Sequence, residues 1–433
     1  MTPSSTPSKT PTKSAPAPAK PSPPASKPTP AAAKTAPPPP KPPAAPAKTT
    51  TRAKAKPATK REPKPPAPNA AKIAVIGIPA SGKTTYFRFL SGHFGLNLPI
   101  FYIPAPQASF SLPLFGDLDQ EVILEETTYE TTDPTDPEGS LETTTRYYVN
   151  RPMEDRKKLW VELAAGRAEQ GVLTKYPLPT KYNQFVEMKM HFRYGSANGG
   201  PASSRAMELS TIDEAGGIIS DYFTYDRLWL DSAEAEVTER SCRVIPHFDT
   251  WRPDRRDLWR RGLTLLGRFV HQAEGLILLL SPALPSLRDQ AQQVNLARGV
   301  FRYVKQRNIP LVIAISKADK LHDFYSEVEQ TVRDRSFRST FDTQDFLLRR
   351  DGAGMGTILV ANEGRGISTK EDVFLVSSAV STGEGHPLLL SDSGLEAAST
   401  GGDTLGVPVM VNTTLPLARI CERVLERRET KGG

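Results

Sequence analysis

Residues 71–76 read A-K-I-A-V-I, residues 77–84 read G-I-P-A-S-G-K-T, and T-Y-F-R-F-L follows at 85–90. Ile73 to Ile76 is a short, apolar, β-branched run, the pattern of a strand buried on both faces of a parallel sheet. It breaks at Gly77, and a helical pattern takes over after the loop. Gly77 and Gly82 meet the spacing G-x-x-x-x-G-K-T. In such a loop successive backbone N–H groups converge on a phosphate, a curvature that favours glycine, and the following helix presents its N-terminus to the anion. Gly77, Ala80, Ser81, Gly82, Lys83, Thr84 and Thr85 are therefore candidate phosphate-binding residues. Lys83 is placed to reach the β- and γ-phosphates, and the Thr84 hydroxyl to ligate Mg²⁺.

The rest of the chain agrees with a parallel sheet. Residues 186–194, V-E-M-K-M-H-F-R-Y, alternate apolar and polar, as a half-exposed strand does, and a partner follows at 207–213. Buried runs recur at 276–280, 311–315 and 373–376. Between them, Leu258, Gly262, Leu265, Leu266 and Phe269 line one helical face, and Val294, Ala297, Phe301 and Val304 another. Leu417, Ile420, Val424 and Leu425 make a last amphipathic stripe. Strand alternating with helix predicts an α/β fold: a six-stranded, mostly parallel sheet flanked by helices.

Charge divides the chain. Residues 1–70 hold 22 of the 41 prolines, 13 Lys or Arg and one acid, Glu62, so they carry +12 of a total of +7 and leave −5 on the remainder. A Pro/Ala/Lys-rich segment with almost no large apolar side chain cannot offset its conformational entropy, so residues 1–70 are expected to be a disordered basic tail. The plain reading of this tail is a solvated spacer; its charge also suits weak attraction to an anionic partner. The folded body is expected over 71–433, with insertions at about 115–175 and 321–371. No run approaches the roughly 18 apolar residues of a membrane span, and the N-terminus lacks the apolar core of a secretory signal, so a cytoplasmic protein without an integral membrane segment is expected. Cys242 and Cys421 have no metal-like or redox-like spacing and are expected to be buried, reduced thiols.

A phosphate loop alone does not name a base. Three further stretches, each at a predicted strand end, bear on that choice: Asp213-Glu214-Ala215-Gly216, Ser316-Lys317-Ala318-Asp319 and Ser377-Ser378-Ala379. A carboxylate at the C-terminal end of a strand lies on the rim that the phosphate loop occupies. The ordered set resembles the signature of the Ras-like, TRAFAC-class P-loop GTPases. The resemblance implies a GTP/GDP switch that needs Mg²⁺, with an unknown protein effector or activator. It implies that Asp213 holds Mg²⁺ and that the Gly216 N–H touches the γ-phosphate. Asp319 then accepts the guanine N1–H and 2-amino group, Lys317 packs along the base, and Ala379, next to Ser378, meets guanine O6.

This chain departs from that signature at two positions. Ser316 stands where Asn or Thr is usual, with a shorter reach to the phosphate loop. Gly217 stands where many members carry a water-orienting Gln, which implies slow hydrolysis without an activating partner. The 130 residues from Lys83 to Asp213 exceed a minimal domain of this class. They include an acidic, Thr-rich stretch at 121–145 and a helical pattern near 154–169. G-V-L-T-K-Y-P-L-P-T at 171–180 directly precedes a strand, which makes Thr180 the first candidate for a catalytic, Mg²⁺-sensing switch threonine and Thr174 the second; an ordinary loop threonine is the alternative. The long insertion with its P-x-P-T element also resembles the bacterial double-GTPase group. Two other readings stay open: an ATP-dependent P-loop enzyme in which S-K-A-D is accidental, and a GTP-loaded scaffold with negligible turnover.

Other features favour ordinary readings. His247-Phe248-Asp249 fits loop packing better than catalysis. D-G-A-G-M-G at 351–356 lacks the flanking strand and helix of a second phosphate loop. Trp251, Arg252, Arg255, Arg256, Arg260 and Arg261 fit a solvated helix face better than a docking surface for a partner or lipid.

Overall fold

The apolar run at 71–76 forms β1 (Ala71–Ile76), with the odd and even side chains buried on opposite faces. The computed structural model describes residues 69–87, 90, 100–102, 114–115, 123–131, 141–149, 184–195, 205–214, 217–284, 286–321, 325–326, 328, 330, 371–378, 380, 388–391, 394–397 and 407–432. The chain divides into two compact units, Met1–Lys60 and Arg61–Gly433, and every described residue belongs to the second. The expected tail is therefore almost wholly outside the described residues. So are the helical pattern near 154–169, the stretch 171–180 with Thr174 and Thr180, the run 351–356, and the individual positions Gly216 and Ala379.

A helix, α1, starts at 83 and is described through 87. Short strands β2 (Ile100–Phe101) and β3 (Leu114–Phe115) precede a hairpin of β4 (Ile123–Thr131) and β5 (Leu141–Val149). Then come β6 (Gln184–Gly195), β7 (Arg205–Glu214), α2 (Ile218–Thr224) and α3 (Pro253–His271). β8 (Gly275–Leu280), α4 (Leu287–Arg307), β9 (Leu311–Ile315) and β10 (Val373–Leu375) continue the alternation. A separate sheet of β11 (Leu388–Ser391), β12 (Gly394–Ala397) and β13 (Val407–Pro408) follows, and the chain closes with β14 (Met410–Val411) and α5 (Leu415–Gly432).

The main sheet runs β10-β9-β8-β1-β7-β6-β4-β5, with β3 also paired to β6. Its first six members in this order are the six strands expected from sequence. β10, β9, β8, β1 and β7 are mutually parallel, and β6 is antiparallel to β7. The sheet is larger than six strands because the Thr-rich stretch inside the expected insertion pairs as β4–β5 and adds to β6. Threonine and tyrosine fit a pleated surface even without an apolar stripe, so the hairpin extends an edge that the hydrophobic pattern leaves open.

Alternation along the central strands sets the layers. Leu276, Leu278, Leu280, Ile313 and Ile315 face α2, α3 and α4, where Phe223, Leu263, Leu266, Leu296 and Val300 are buried. Ile277, Leu279, Val312 and Ala314 face the other side, against Tyr86, Phe87, Leu417, Ile420 and Val424. Leu265, Phe269 and Val294 are only partly buried beside the first layer, and Leu425 beside the second. Local signals fix the helix ends. Pro253 sits in the first turn of α3. The Ser286 hydroxyl caps α4 by accepting from the Asp289 N–H, and Asn308 ends it in the left-handed region at φ 49°. Gly299 of α4 lies so close to α2 that an added Cβ would strike the backbone of Phe223.

Candidate nucleotide-binding site

The C-terminal ends of β1, β7, β9 and β10 converge on one rim, which is where the candidate residues gather. The 77–84 loop turns back on itself through a Ser81 N–H to Ile78 carbonyl hydrogen bond of 3.1 Å, and α1 opens with Tyr86 N–H donating to the Gly82 carbonyl at 2.8 Å. Gly82 has φ +89°, a conformation in which a side chain is strained, and Ala80 shares the left-handed region at φ 63°. A Cβ on Gly77 would stand 2.8 Å from the Leu279 carbonyl of β8, so the loop lies tight on the sheet.

Lys83 is buried, and its ammonium donates to the Gly77 carbonyl at 2.8 Å and to that of Ile78 at 3.4 Å. A buried ammonium needs such acceptors. The Thr84 hydroxyl donates directly to the Asp213 carboxylate, which bridges α1 to the end of β7. Asp213 is itself buried, two residues beyond Thr211, whose Cα partner on β1 is Val75. The Ser81 hydroxyl is buried in the loop and has no hydrogen-bond partner. Thr85 is half-buried beside it in chain order.

The base-reading candidates form a second group. Ser316 is buried, and its hydroxyl donates to the Ser81 carbonyl and, at 3.2 Å, to that of Leu280. Lys317 has φ 54° and donates from Nζ to the Ala80 carbonyl at 2.7 Å. Desolvation lowers its ammonium pKa, an effect opposed by neighbouring Asp319. Asp319 is buried, and its carboxylate accepts from the Ser377 hydroxyl at 2.6 Å. The Ala318 N–H donates to the Val376 carbonyl at 3.1 Å, tying the two loops together. Ser377 is thus the residue on Asp319, and Ser378, the nucleotide-binding candidate, is buried next to it. The sequence places Ser377 in the S-S-A stretch but does not show its hydrogen bond to Asp319; a hydroxyl directly at the strand end is the signal that points to it.

The arrangement suits a polyphosphate with a hard cation. Thr84 and Asp213 offer two hard oxygen donors at one point, and the loop holds an unsatisfied buried hydroxyl. Among the described residues no group of three or more His, Cys, Asp or Glu could hold a metal ion. A hard cation held at Thr84 and Asp213 would need further oxygen ligands, which phosphate and water can supply.

Beyond Gly217, Asp221 of α2 accepts from the Trp259 indole N–H of α3 at 3.0 Å. Burial pushes its carboxyl up to about 6, against the opposing effect of that hydrogen bond. Phe248 is a core side chain, and Asp249 pairs with Arg243 at 3.5 Å, so the 247–249 turn packs. Four arginines of the basic cluster sit on carboxylates: Arg252 on Asp254, Arg256 on Glu239, Arg260 and Arg261 on Asp257. Arg255 lies over the Trp251 ring at 4.3 Å. Both cysteines are free and buried. Among the described residues no helix is long and apolar enough to cross a membrane.

No protein-family model matches this chain, and no curated protein matches it in sequence. Among solved structures it is similar to the C-terminal motor domain of Kar3 from Candida glabrata, at 9% identity and TM-score 0.24, over 53% of this chain and 74% of that one. A second is a mutant structure of the kinesin motor ATPase, at 12% identity and TM-score 0.23, over the same shares. Superpositions this loose fix nothing; the P-loop α/β fold rests on the strand, loop and helix at 71–87 and on the strand order around them.

Proposed function

We propose that this chain is a guanine-nucleotide-binding molecular switch that hydrolyses GTP to GDP with Mg²⁺. The observation that carries the reading is Asp319: a buried carboxylate, oriented by Ser377, beside a lysine that reaches the phosphate loop. A carboxylate accepts two parallel N–H bonds, and guanine offers such a pair where adenine does not. The strand order β6-β7-β1-β8-β9-β10, with only β6 antiparallel, supports the Ras-like reading of the motifs.

The reading gives each candidate residue a role. Lys83 and the loop amides stabilise negative charge on the transferring phosphoryl group. Thr84 and Asp213 would hold Mg²⁺, which when bound neutralises phosphate charge. The Ser316 hydroxyl donates to the loop carbonyl of Ser81 and the Lys317 ammonium to that of Ala80, which ties the base-reading loop to the phosphate loop. Thr180 is the first candidate to complete the site as the switch threonine, with Gly216 as the γ-phosphate contact and Ala379 at guanine O6. The segment at 171–180 would order around GTP and relax after hydrolysis, altering the surface offered to an effector. Residues 218–230, the second segment expected to respond, are already packed into the core through Ile219, Tyr222, Phe223 and Leu228, which leaves its start at Gly216 and Gly217 as the part that could move.

Phosphate release from GTP and from ATP, measured over hours with Mg²⁺ and with chelator, tests the reading. GTP turnover that needs Mg²⁺ and is lost in Lys83→Ala is expected. Equal use of ATP, or turnover that survives Lys83→Ala, would overturn it.

A further inference from the structure

The loop after β10 is braced by a strand that arrives from far along the chain. β14 pairs in parallel with β2, Met410 opposite Ile100 and Val411 opposite Phe101. On its other side Val411 exchanges both backbone hydrogen bonds with Ser377: the Ser377 N–H donates to the Val411 carbonyl at 3.1 Å, and the Val411 N–H to the Ser377 carbonyl at 2.8 Å. One turn on, the Val380 N–H donates to the Val409 carbonyl at 3.0 Å. The hydroxyl-bearing residue that orients Asp319 is therefore gripped at its backbone by β14.

Asn412 ends that strand. It is buried and left-handed at φ 54°, a conformation that Asn tolerates better than most residues with a side chain. Its side-chain amide donates to the Leu375 carbonyl at 2.9 Å, at the last residue of β10. Its own carbonyl accepts from the Leu415 N–H at 3.2 Å, where α5 begins. One residue thus fixes three things: the end of β10, the grip of Val411 on Ser377, and the entry into α5. The Tyr102 and Thr414 hydroxyls share a hydrogen bond of 3.0 Å, which holds the same corner from the β2 side.

We infer that Asn412 is a positioning residue: by pinning Leu375 and holding Val411 on Ser377, it sets the orientation of the Asp319 carboxylate and so sharpens selection for a base that carries an amino group next to its ring N–H. The inference rests on the guanine reading of Asp319. A residue needed only to start α5 would affect stability and weaken every nucleotide alike. A residue that aims Asp319 changes the ratio between bases that differ only at the group the carboxylate reads.

Inosine diphosphate lacks the 2-amino group of GDP, so the ratio of their dissociation constants isolates that contact. The ratio is measured by displacement of a labelled diphosphate in Mg²⁺ for the full chain and for Asn412→Ala, Asn412→Asp, Asn412→Gly and Asp319→Asn, with thermal melting alongside. Asn412→Ala and Asn412→Asp both remove the amide donor and are expected to lower the GDP preference about tenfold, the scale of one hydrogen bond to a charged group. Asn412→Gly keeps the left-handed backbone without the amide, and is expected to lower the preference while melting close to the parent. If Asp319→Asn abolishes the preference but the Asn412 variants keep it, or lose GDP and inosine diphosphate in equal measure, the positioning role is wrong. If Asp319→Asn leaves the preference intact, the guanine reading itself fails, and this inference falls with it.

Discussion

Asp221 is a carboxyl that the fold holds partly out of water, and its titration can be read as stability. Its pKa rises from 3.8 to about 6, chiefly through burial. A carboxyl raised in the folded state favours folding while protonated, so its contribution is fully present below pH 3.8 and is lost as pH climbs through about 6. A shift of about two units corresponds to at most about 3 kcal/mol across the whole range, of which about 1.4 kcal/mol falls between pH 5 and pH 8. Asp221→Asn keeps an oxygen for the Trp259 indole N–H and removes the titration. Urea unfolding of both proteins at pH 5 and pH 8 isolates the effect, because every other ionising group is common to them. The difference in unfolding free energy, parent minus variant, should fall by about 1 to 1.5 kcal/mol from pH 5 to pH 8. A difference that does not change with pH, or that grows in favour of the parent, would refute the assignment of a buried, raised carboxyl.

Three further outcomes follow from the packing. Gly299→Ala places a methyl group on the Phe223 backbone and forces α2 from α4, so it should cost about 1–3 kcal/mol in urea unfolding; an unchanged midpoint would contradict that contact. Burial pushes Cys242 up to about 11 and Cys421 well above the ordinary thiol value, so neither should react with a disulfide reagent at pH 8 faster than the protein unfolds; rapid labelling of either would show that it is exposed. Gly82→Ala forces a side chain to φ +89°, and should both lower stability by about 1–2 kcal/mol and weaken nucleotide binding; a variant with unchanged affinity would mean that the loop has another conformation.

Four of the five parallel strands, β1, β8, β9 and β10, could be read from the sequence because each carries a continuous apolar run that ends where the polarity changes; β7, R-A-M-E-L-S-T-I-D-E, was legible as the partner of the alternating strand before it. Residues 186–194 were equally legible, since Met188, Met190, Phe192 and Tyr194 alternate onto one buried face. The β4–β5 hairpin was not, because Thr, Glu and Tyr carry no apolar period and the hairpin is held by backbone pairing with β6. The pairing of β14 with β2 joins residues about three hundred positions apart, and nothing in either short segment names the other. In the candidate site, Lys83, Thr84, Asp213, Ser316, Lys317 and Asp319 come together from three strand ends, those of β1, β7 and β9, as the rim argument requires. The parts played by Ser377, named in sequence only as the first residue of its stretch, and by Asn412 are to hold another residue, and that is visible only when the hydrogen bonds are drawn.

The most direct test of the central claim is a competition between nucleoside diphosphates for labelled GDP in Mg²⁺, with the parent chain and with Asp319→Asn. The account predicts that GDP displaces the label far better than ADP from the parent. In the variant, preference should move to xanthosine diphosphate, whose carbonyl at the 2-position accepts from the new amide. Equal competition by ADP and GDP, unchanged by the substitution, would contradict it and make adenine nucleotides the ligands to pursue.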